Sequence, residues 1–248
     1  YYDPDNGGNR IVDGVAIDDR MNYLRYGPEL SFRQAHERLS VGFKLKGQLW
    51  DYDDTGVVPE YDHEYYLVNL YGQFKFSPTS LLRLTAEYHS RRYGERPSYD
   101  LDGQQRLGNP AVRYDYLSFG LRARQRVTDS MWFGWDVERT ERTDEYVGYN
   151  DYTRYDYRFE FHWAPGDRFD LELNAAYRDY DYSNAFAFHE PLVGRKTQES
   201  SDASIIGSYR MTPQLSLVAE ARYDETTSND TRIQYERFQY ILGVRWDR

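Results

Sequence analysis

The 248-residue sequence contains no cysteine, which excludes a disulfide framework and any thiolate metal site. It has no run of about 18 apolar residues, so transmembrane helices are excluded. Mean hydropathy is −0.90, and 29% of residues are charged. That is too polar for a helical membrane protein, but it does not argue against a membrane barrel, whose strands show lipid only every second residue. The opening Tyr1-Tyr2-Asp3-Pro4-Asp5 holds no secretory leader, as expected of a mature form or of a piece cut from a longer protein. There is no phosphate loop, no Gly-x-Ser-x-Gly elbow and no His-Glu-x-x-His helix. The net charge of −10 argues against a nucleic-acid partner.

Aromatic residues are abundant: 26 Tyr, 12 Phe and 5 Trp, or 17% of the chain. Acidic disordered chains are poor in aromatics, so disorder is excluded despite the charge. Apolar and polar residues alternate over long stretches, the mark of half-buried β-strands. In 39–52, Val41, Phe43, Leu45 and Leu49 oppose Lys44, Lys46 and Gln48. In 155–163, Tyr155, Tyr157, Phe159, Phe161 and Trp163 oppose Asp156, Arg158, Glu160 and His162. Such segments fall at 21–34, 39–53, 64–76, 81–93, 113–127, 131–143, 152–164, 169–183, 200–211, 214–226 and 232–246. The last changes phase near Glu236, which predicts a β-bulge.

The connections alternate in length. Those at 35–38, 77–80, 128–130, 165–168 and 212–213 are short and rich in Pro, Gly, Asp and Ser, as tight turns require. Those near 54–63, 94–112, 144–151 and 184–199 are long and polar. Loops sorted by parity, with the short side periplasmic, are the arrangement of an outer-membrane barrel. The expected fold is all-β, a transmembrane antiparallel up-and-down barrel of about 12 strands, or the C-terminal part of a larger one. Residues 21–248 form the barrel. Residues 1–20 are either a weak first strand, at Arg10 to Ile17, or an external loop.

Aromatics gather at both strand ends, as two interfacial girdles would. Phe32, Phe74, Phe76, Phe133, Trp135, Phe161, Trp163, Phe169 and Trp246 lie toward the short turns, with Met131 as an apolar companion. Tyr88, Tyr93, Tyr146, Tyr149, Tyr155, Tyr177, Tyr182, Tyr223 and Tyr235 lie toward the long loops. Leu45, Leu70, Leu84, Phe119, Phe133, Phe159, Leu173, Ile205, Leu217 and Leu242 are expected to face lipid.

The other face is too charged for a dry core, where an unpaired ion costs several kcal/mol. Its candidate lumen-lining residues are Lys75, Arg83, Arg122, Arg124, Arg126, Asp136, Glu138, Arg158, Glu160 and Arg222. One reading is a pore with an electropositive periplasmic half, set by the Arg122-Arg124-Arg126 ladder with Arg83 and Lys75. The other is a cross-strand lattice of ion pairs that fills a narrow barrel. The loops carry acidic residues, Asp51, Asp53, Asp54, Glu60, Asp62 and Glu64 among them, without a calcium-loop signature. No metal ligand set or cofactor is expected.

Catalysis is not expected either. His89 and Ser90 are sequence neighbours and point to opposite faces of a strand. His63 and His189, read as loop residues, each adjoin a glutamate (Glu64 and Glu190) but have no evident dyad partner.

Strands closing in Tyr-Asp or Arg-Tyr, turns such as Met211-Thr212-Pro213-Gln214-Leu215-Ser216-Leu217, and the ending Tyr240-Ile241-Leu242-Gly243-Val244-Arg245-Trp246 give the chain a family look. It resembles the outer-membrane porins encoded with exopolysaccharide systems, and is similar to the C-terminal barrels of polysaccharide exporters that carry tetratricopeptide repeats. It is more loosely similar to barrels that sheathe multihaem cytochromes. The resemblance implies an outer-membrane passage, porin-like or for polysaccharide export, or else a scaffold filled by a partner. Implied partners are outer-membrane lipid and lipopolysaccharide, an anionic polysaccharide, or a periplasmic or lumenal protein. One departure is that Asp247 and Arg248 follow Trp246, where such barrels end on an aromatic residue.

Overall fold

The computed structural model describes residues 11–12, 15–16, 23–52 and 61–246. Two short strands, β1 (Ile11–Val12) and β2 (Val15–Ala16), pair only with each other. The remaining strands form one antiparallel sheet. They are β3 (Tyr23–Tyr26), β4 (Glu29–His36), β5 (Leu39–Tyr52), β6 (His63–Ser77), β7 (Ser80–Pro97), β8 (Ala111–Thr128), β9 (Met131–Asp144), β10 (Tyr152–Trp163), β11 (Phe169–Phe186), β12 (Arg195–Arg210), β13 (Leu215–Ser228) and β14 (Tyr235–Trp246). From β4 to β14 each pairs with the next in sequence, and β3 joins β5 beside β4, so the twelve strands form an up-and-down meander. The expected all-β fold of about 12 strands is borne out.

β3 and β4 share one position. Both lie on β5, Tyr23 opposite Tyr52 and His36 opposite Leu39. The break falls at Gly27-Pro28, because Pro28 has no N–H for the ladder and Gly27 takes a φ of +150°. A Cβ there would lie 2.0 Å from the Gly47 carbonyl oxygen, so the close approach of β5 demands glycine. The twelve strands therefore occupy eleven positions.

The loops sort by parity as expected. Short turns join β4–β5, β6–β7, β8–β9, β10–β11 and β12–β13 at one end; longer connections join the other end. β7, β8 and β11, at 18 residues each, run past their expected limits, so part of each long "loop" is a continued hairpin. The bulge expected near Glu236 is absent. β13 and β14 hold register from Leu215–Trp246 to Thr226–Tyr235, and the phase change arises because Thr231–Ile233 is a 3₁₀ turn before the strand.

Register fixes two faces. The outward one carries apolar side chains from the short-turn end upward: Phe76, Phe74, Leu70, Val68 and Tyr66 on β6; Met131, Phe133, Trp135 and Val137 on β9; Trp163, Phe161, Phe159, Tyr157 and Tyr155 on β10. All ten residues expected to face lipid lie on this face. The next outward positions toward the long loops are Glu64, Arg92, Asp115, Arg139, Asp179, Glu199, Glu225 and Glu236, a charged ring. On most strands the apolar stretch below the ring spans eight to ten residue steps. At about 3.3 Å per step and a tilt of about 40°, that is a band roughly 20–25 Å tall.

Candidate functional site: the charged inward face

All ten candidate lumen residues project from the inward face. Arg83 stands opposite both Gln73 and Arg122, Arg122 opposite Asp136, and Asp136 opposite Arg158. Lys75, Arg124, Arg126, Glu138, Glu160 and Arg222 keep the same parity. Arg122 donates to Asp136 through Nε at 2.8 Å. Arg124 reaches past β9 to Glu160 on β10, at 3.3 Å. It can do so because the residue between them is Gly134, where a Cβ would come within 3.4 Å of the Glu160 carboxylate. Its guanidinium also lies 4.0 Å from the Trp132 ring.

Higher up, Asp156 is shared by Arg158 (2.7 Å) and Arg178 (3.3 Å), and Arg178 continues to Asp202 at 2.9 Å. Arg154 meets Glu138 at 3.2 Å, Arg222 bonds Glu220 on its own strand, and Lys44 meets Glu29 at 2.8 Å. Toward the short-turn end the pairing thins. Arg83 stacks 4.0 Å over the Tyr71 ring, and neither it nor Lys75 nor Arg126 has an acidic partner among the described residues.

The long-loop end differs from expectation. Of the tyrosines read as an outer girdle, Tyr88, Tyr155, Tyr177 and Tyr223 face outward, but Tyr93, Tyr182 and Tyr235 face inward. Tyr149 is buried in a loop. On the same inward face Tyr114 and Tyr152 flank Arg142, whose guanidinium sits 4.8 Å from the Tyr114 ring and 4.2 Å from Tyr152. Its Nε donates to the Asn150 carbonyl at 2.8 Å. Tyr114 and Tyr152 form a buried hydrophobic cluster with Val112, Tyr116, Tyr149, Tyr182 and Ala185. This Tyr–Arg cluster was missed from sequence. Its signal was parity: Val112, Tyr114 and Tyr116 stand in phase with the arginine ladder of the same strand.

Loops close over this end. Tyr149 Oη accepts from the Phe186 N–H (3.1 Å) and lies 3.2 Å from His189 Nδ1. His189 stacks on Tyr99 with ring centroids 4.8 Å apart, and burial holds it below the ordinary histidine pKa. Asp230 accepts from the Phe188 N–H at 3.0 Å and from Arg232 Nε at 2.8 Å. The guanidinium beside it lowers its pKa to about 2.

His63 is not a loop residue. It opens β6 and faces inward between Trp50 and Tyr93 (centroids 5.3 and 5.0 Å), whereas Glu64 points outward. His89 stacks 4.2 Å from Tyr116 on the inward face, with Ser90 on the other. Among the described residues one group has metal-ligand character: His162, Asp170 and Glu172, whose donor atoms lie within 4.8 Å of one another. It sits at the short-turn end, away from the acidic loops, and His162 Nε2 is already 2.7 Å from Asp170 Oδ2. Asp53, Asp54 and Glu60 lie outside the described residues.

No model of a known protein family matches the sequence, and no curated protein matches it. Solved structures with similarity include the NanC porin, at 11% identity and a TM-score of 0.38, covering 90% of this chain and 93% of that one. OmpT, an outer membrane protein of Vibrio cholerae, shows 11% identity and a TM-score of 0.47, covering 90% and 95%. The alcaligin outer membrane receptor FauA of Bordetella pertussis shows 15% identity and a TM-score of 0.48, covering 91% and 39%.

Proposed function

We propose that the chain is the wall of an outer-membrane passage, porin-like, for a hydrophilic anionic solute such as an acidic polysaccharide, and that it is not a catalyst. The observation that carries this is the division of its faces. An apolar band roughly 20–25 Å tall matches the hydrocarbon thickness that outer-membrane barrels expose. The opposite face carries charges that no dry core tolerates. The chain sits in the bacterial outer membrane, with short turns toward the periplasm and the charged ring at the outer headgroups.

Selectivity then rests on cations that acids do not neutralise. Arg122 and Arg124 are paired; Lys75, Arg83 and Arg126 are not, and rings of Arg and Lys favour anions. The test is conductance of the full natural protein in a planar bilayer, with reversal potential across a salt gradient. The wild type should prefer anions, and K75Q/R83Q/R126Q should shift the reversal potential toward cations more than R122Q/R124Q does. A wild type that prefers cations, or a triple variant without effect, overturns the electropositive passage. The second reading, a scaffold closed by its own ion pairs, is favoured by the Arg178–Asp156–Arg158 network and the Tyr–Arg cluster beneath the loops. It predicts no conductance at all.

A further inference from the structure

On the β10–β11 hairpin, His162 stands directly opposite Glu172 in the ladder. Asp170 comes two residues before Glu172 and so projects from the same, inward, face. Two strands joined by one tight turn thus bring an imidazole and two carboxylates together, and the backbone ladder fixes their spacing more closely than a loop could. The imidazole also stacks on Trp132 of β9, with ring centroids 5.7 Å apart.

Charge sets this group apart from its neighbours on the inward face. Asp136, Glu138, Asp156 and Glu160 each have an arginine within 3.3 Å. Asp170 and Glu172 have neither an arginine nor a lysine partner among the described residues, and the ionic contact of Asp170 is His162 at 2.7 Å. One imidazole supplies at most one positive charge for two carboxylates, so negative charge is left over at their meeting point.

We propose that His162, Asp170 and Glu172 bind a divalent transition-metal ion of the zinc type, with its remaining position left to water. The donor set selects the ion. Imidazole nitrogen suits Zn²⁺, whereas Ca²⁺ and Mg²⁺ take oxygen donors. Three protein ligands and one water are the coordination of an open tetrahedral zinc site, and with bonds of about 2.0–2.2 Å its donors stand about 3.4 Å apart. The three donor atoms lie within 4.8 Å of one another, so the widest pair must approach by at most about 1.4 Å. Glu172 is exposed, and a rotamer change of its side chain supplies that approach. His162 Nε2 and Asp170 Oδ2, at 2.7 Å, part by about 0.7 Å to admit the ion between them. The ion staples β10 to β11 beside their turn and keeps its open position on the inward face. The site needs only the register of this hairpin, and stands or falls independently of what the passage carries.

The experiment is calorimetric titration with Zn²⁺ of the full natural protein in detergent, prepared without an oligohistidine tag and stripped with a chelator. Zinc should bind saturably, and an excess of Ca²⁺ or Mg²⁺ should not displace it. His162→Gln, Asp170→Asn and Glu172→Gln should each weaken binding at least about tenfold, since loss of an outer partner of a ligand alone costs about 10–100-fold. His89→Gln, which removes the imidazole 3.4 Å from Glu87, should leave the affinity unchanged. A readout on the unaltered protein decides the matter where a variant does not fold. Zinc should protect His162 from diethyl pyrocarbonate, scored by mass spectrometry of its peptide, and leave the exposed His36 reactive. Four results overturn the proposal: no saturable binding, displacement by Ca²⁺ or Mg²⁺, an affinity unmoved in a folded His162→Gln variant, or a His162 that zinc protects no better than His36.

Discussion

Leu70 and Asn69 are adjacent on β6 and should respond oppositely to the same substitution. Leu70 faces outward and is 51% exposed in the isolated chain. It stands six residues above Phe76 at the short-turn end and six below Glu64 in the charged ring, so it lies at mid-height of the band. Six steps are about 20 Å along the strand and about 15 Å along the membrane normal. An arginine side chain does not reach either interface from there by snorkelling. Leu70→Arg should therefore cost about 2–4 kcal/mol, a loss of about 30- to 900-fold in the folding constant. Asn69 faces inward and donates to Glu87 at 2.8 Å. An arginine there keeps that acidic partner, and Asn69→Arg should cost less than about 1 kcal/mol, as exposed ion-pair changes do. Glu64→Arg, at the ring, should cost about 0–1 kcal/mol. The assay is reversible urea unfolding from lipid vesicles, followed by tryptophan emission. Equal costs at 69 and 70, or a Leu70→Arg cost below that of Glu64→Arg, would refute the assignment of faces.

Three further outcomes are expected. Asp230 has a carboxyl pKa lowered to about 2 by Arg232, so the stability it gives the loop latch is present above the unfolded value of about 3.9 and is lost as pH falls from there through about 2. The protection factor of the Phe188 amide, its exchange rate relative to the intrinsic rate at each pH, should fall across that window, and Asp230→Asn should lower it already at neutral pH; protection that does not change with pH sinks the latch. Gly27→Ala, with its Cβ forced against the Gly47 carbonyl, should destabilise by at least about 1 kcal/mol, read as a lower urea midpoint. His63→Ala and His189→Ala should leave conductance in place, since both rings serve packing; loss of a hydrolytic activity in either variant would show that a catalyst was overlooked.

The strands were legible because a period of two is a local signal, and Leu70 or Phe159 states its face through its neighbours alone. Loop parity was legible for the same reason, since Pro, Gly and Asp mark tight turns without reference to tertiary structure. Tyrosine was the ambiguous residue. An amphipathic ring suits a membrane interface and a crowded, hydrogen-bonded interior equally well, so Tyr93 and Tyr182 read as girdle although they turn inward. His63 was misassigned because the boundary between strand and loop is set by pairing with Tyr93, seen only across the sheet. Arg122 and Asp136 were on adjacent strands and their pairing was foreseeable. The Arg124–Glu160 contact was not, because it spans two strands and depends on which residue stands between them.

That last contact bears on how the wall reaches a single arrangement. Alternation of faces forbids a slip of one residue between neighbouring strands, but it is blind to a slip of two, which returns every side chain to its own side and every ladder bond to an equivalent partner. Only features that occur once can tell the two apart. The notch at Gly134 is one. Shift β9 by two residues either way and Trp132 or Asp136 fills the gap, so Arg124 no longer passes through to Glu160. The glycine and the two charges it separates thus act as a key with one cut, rejecting misaligned walls that the hydrophobic pattern by itself would accept.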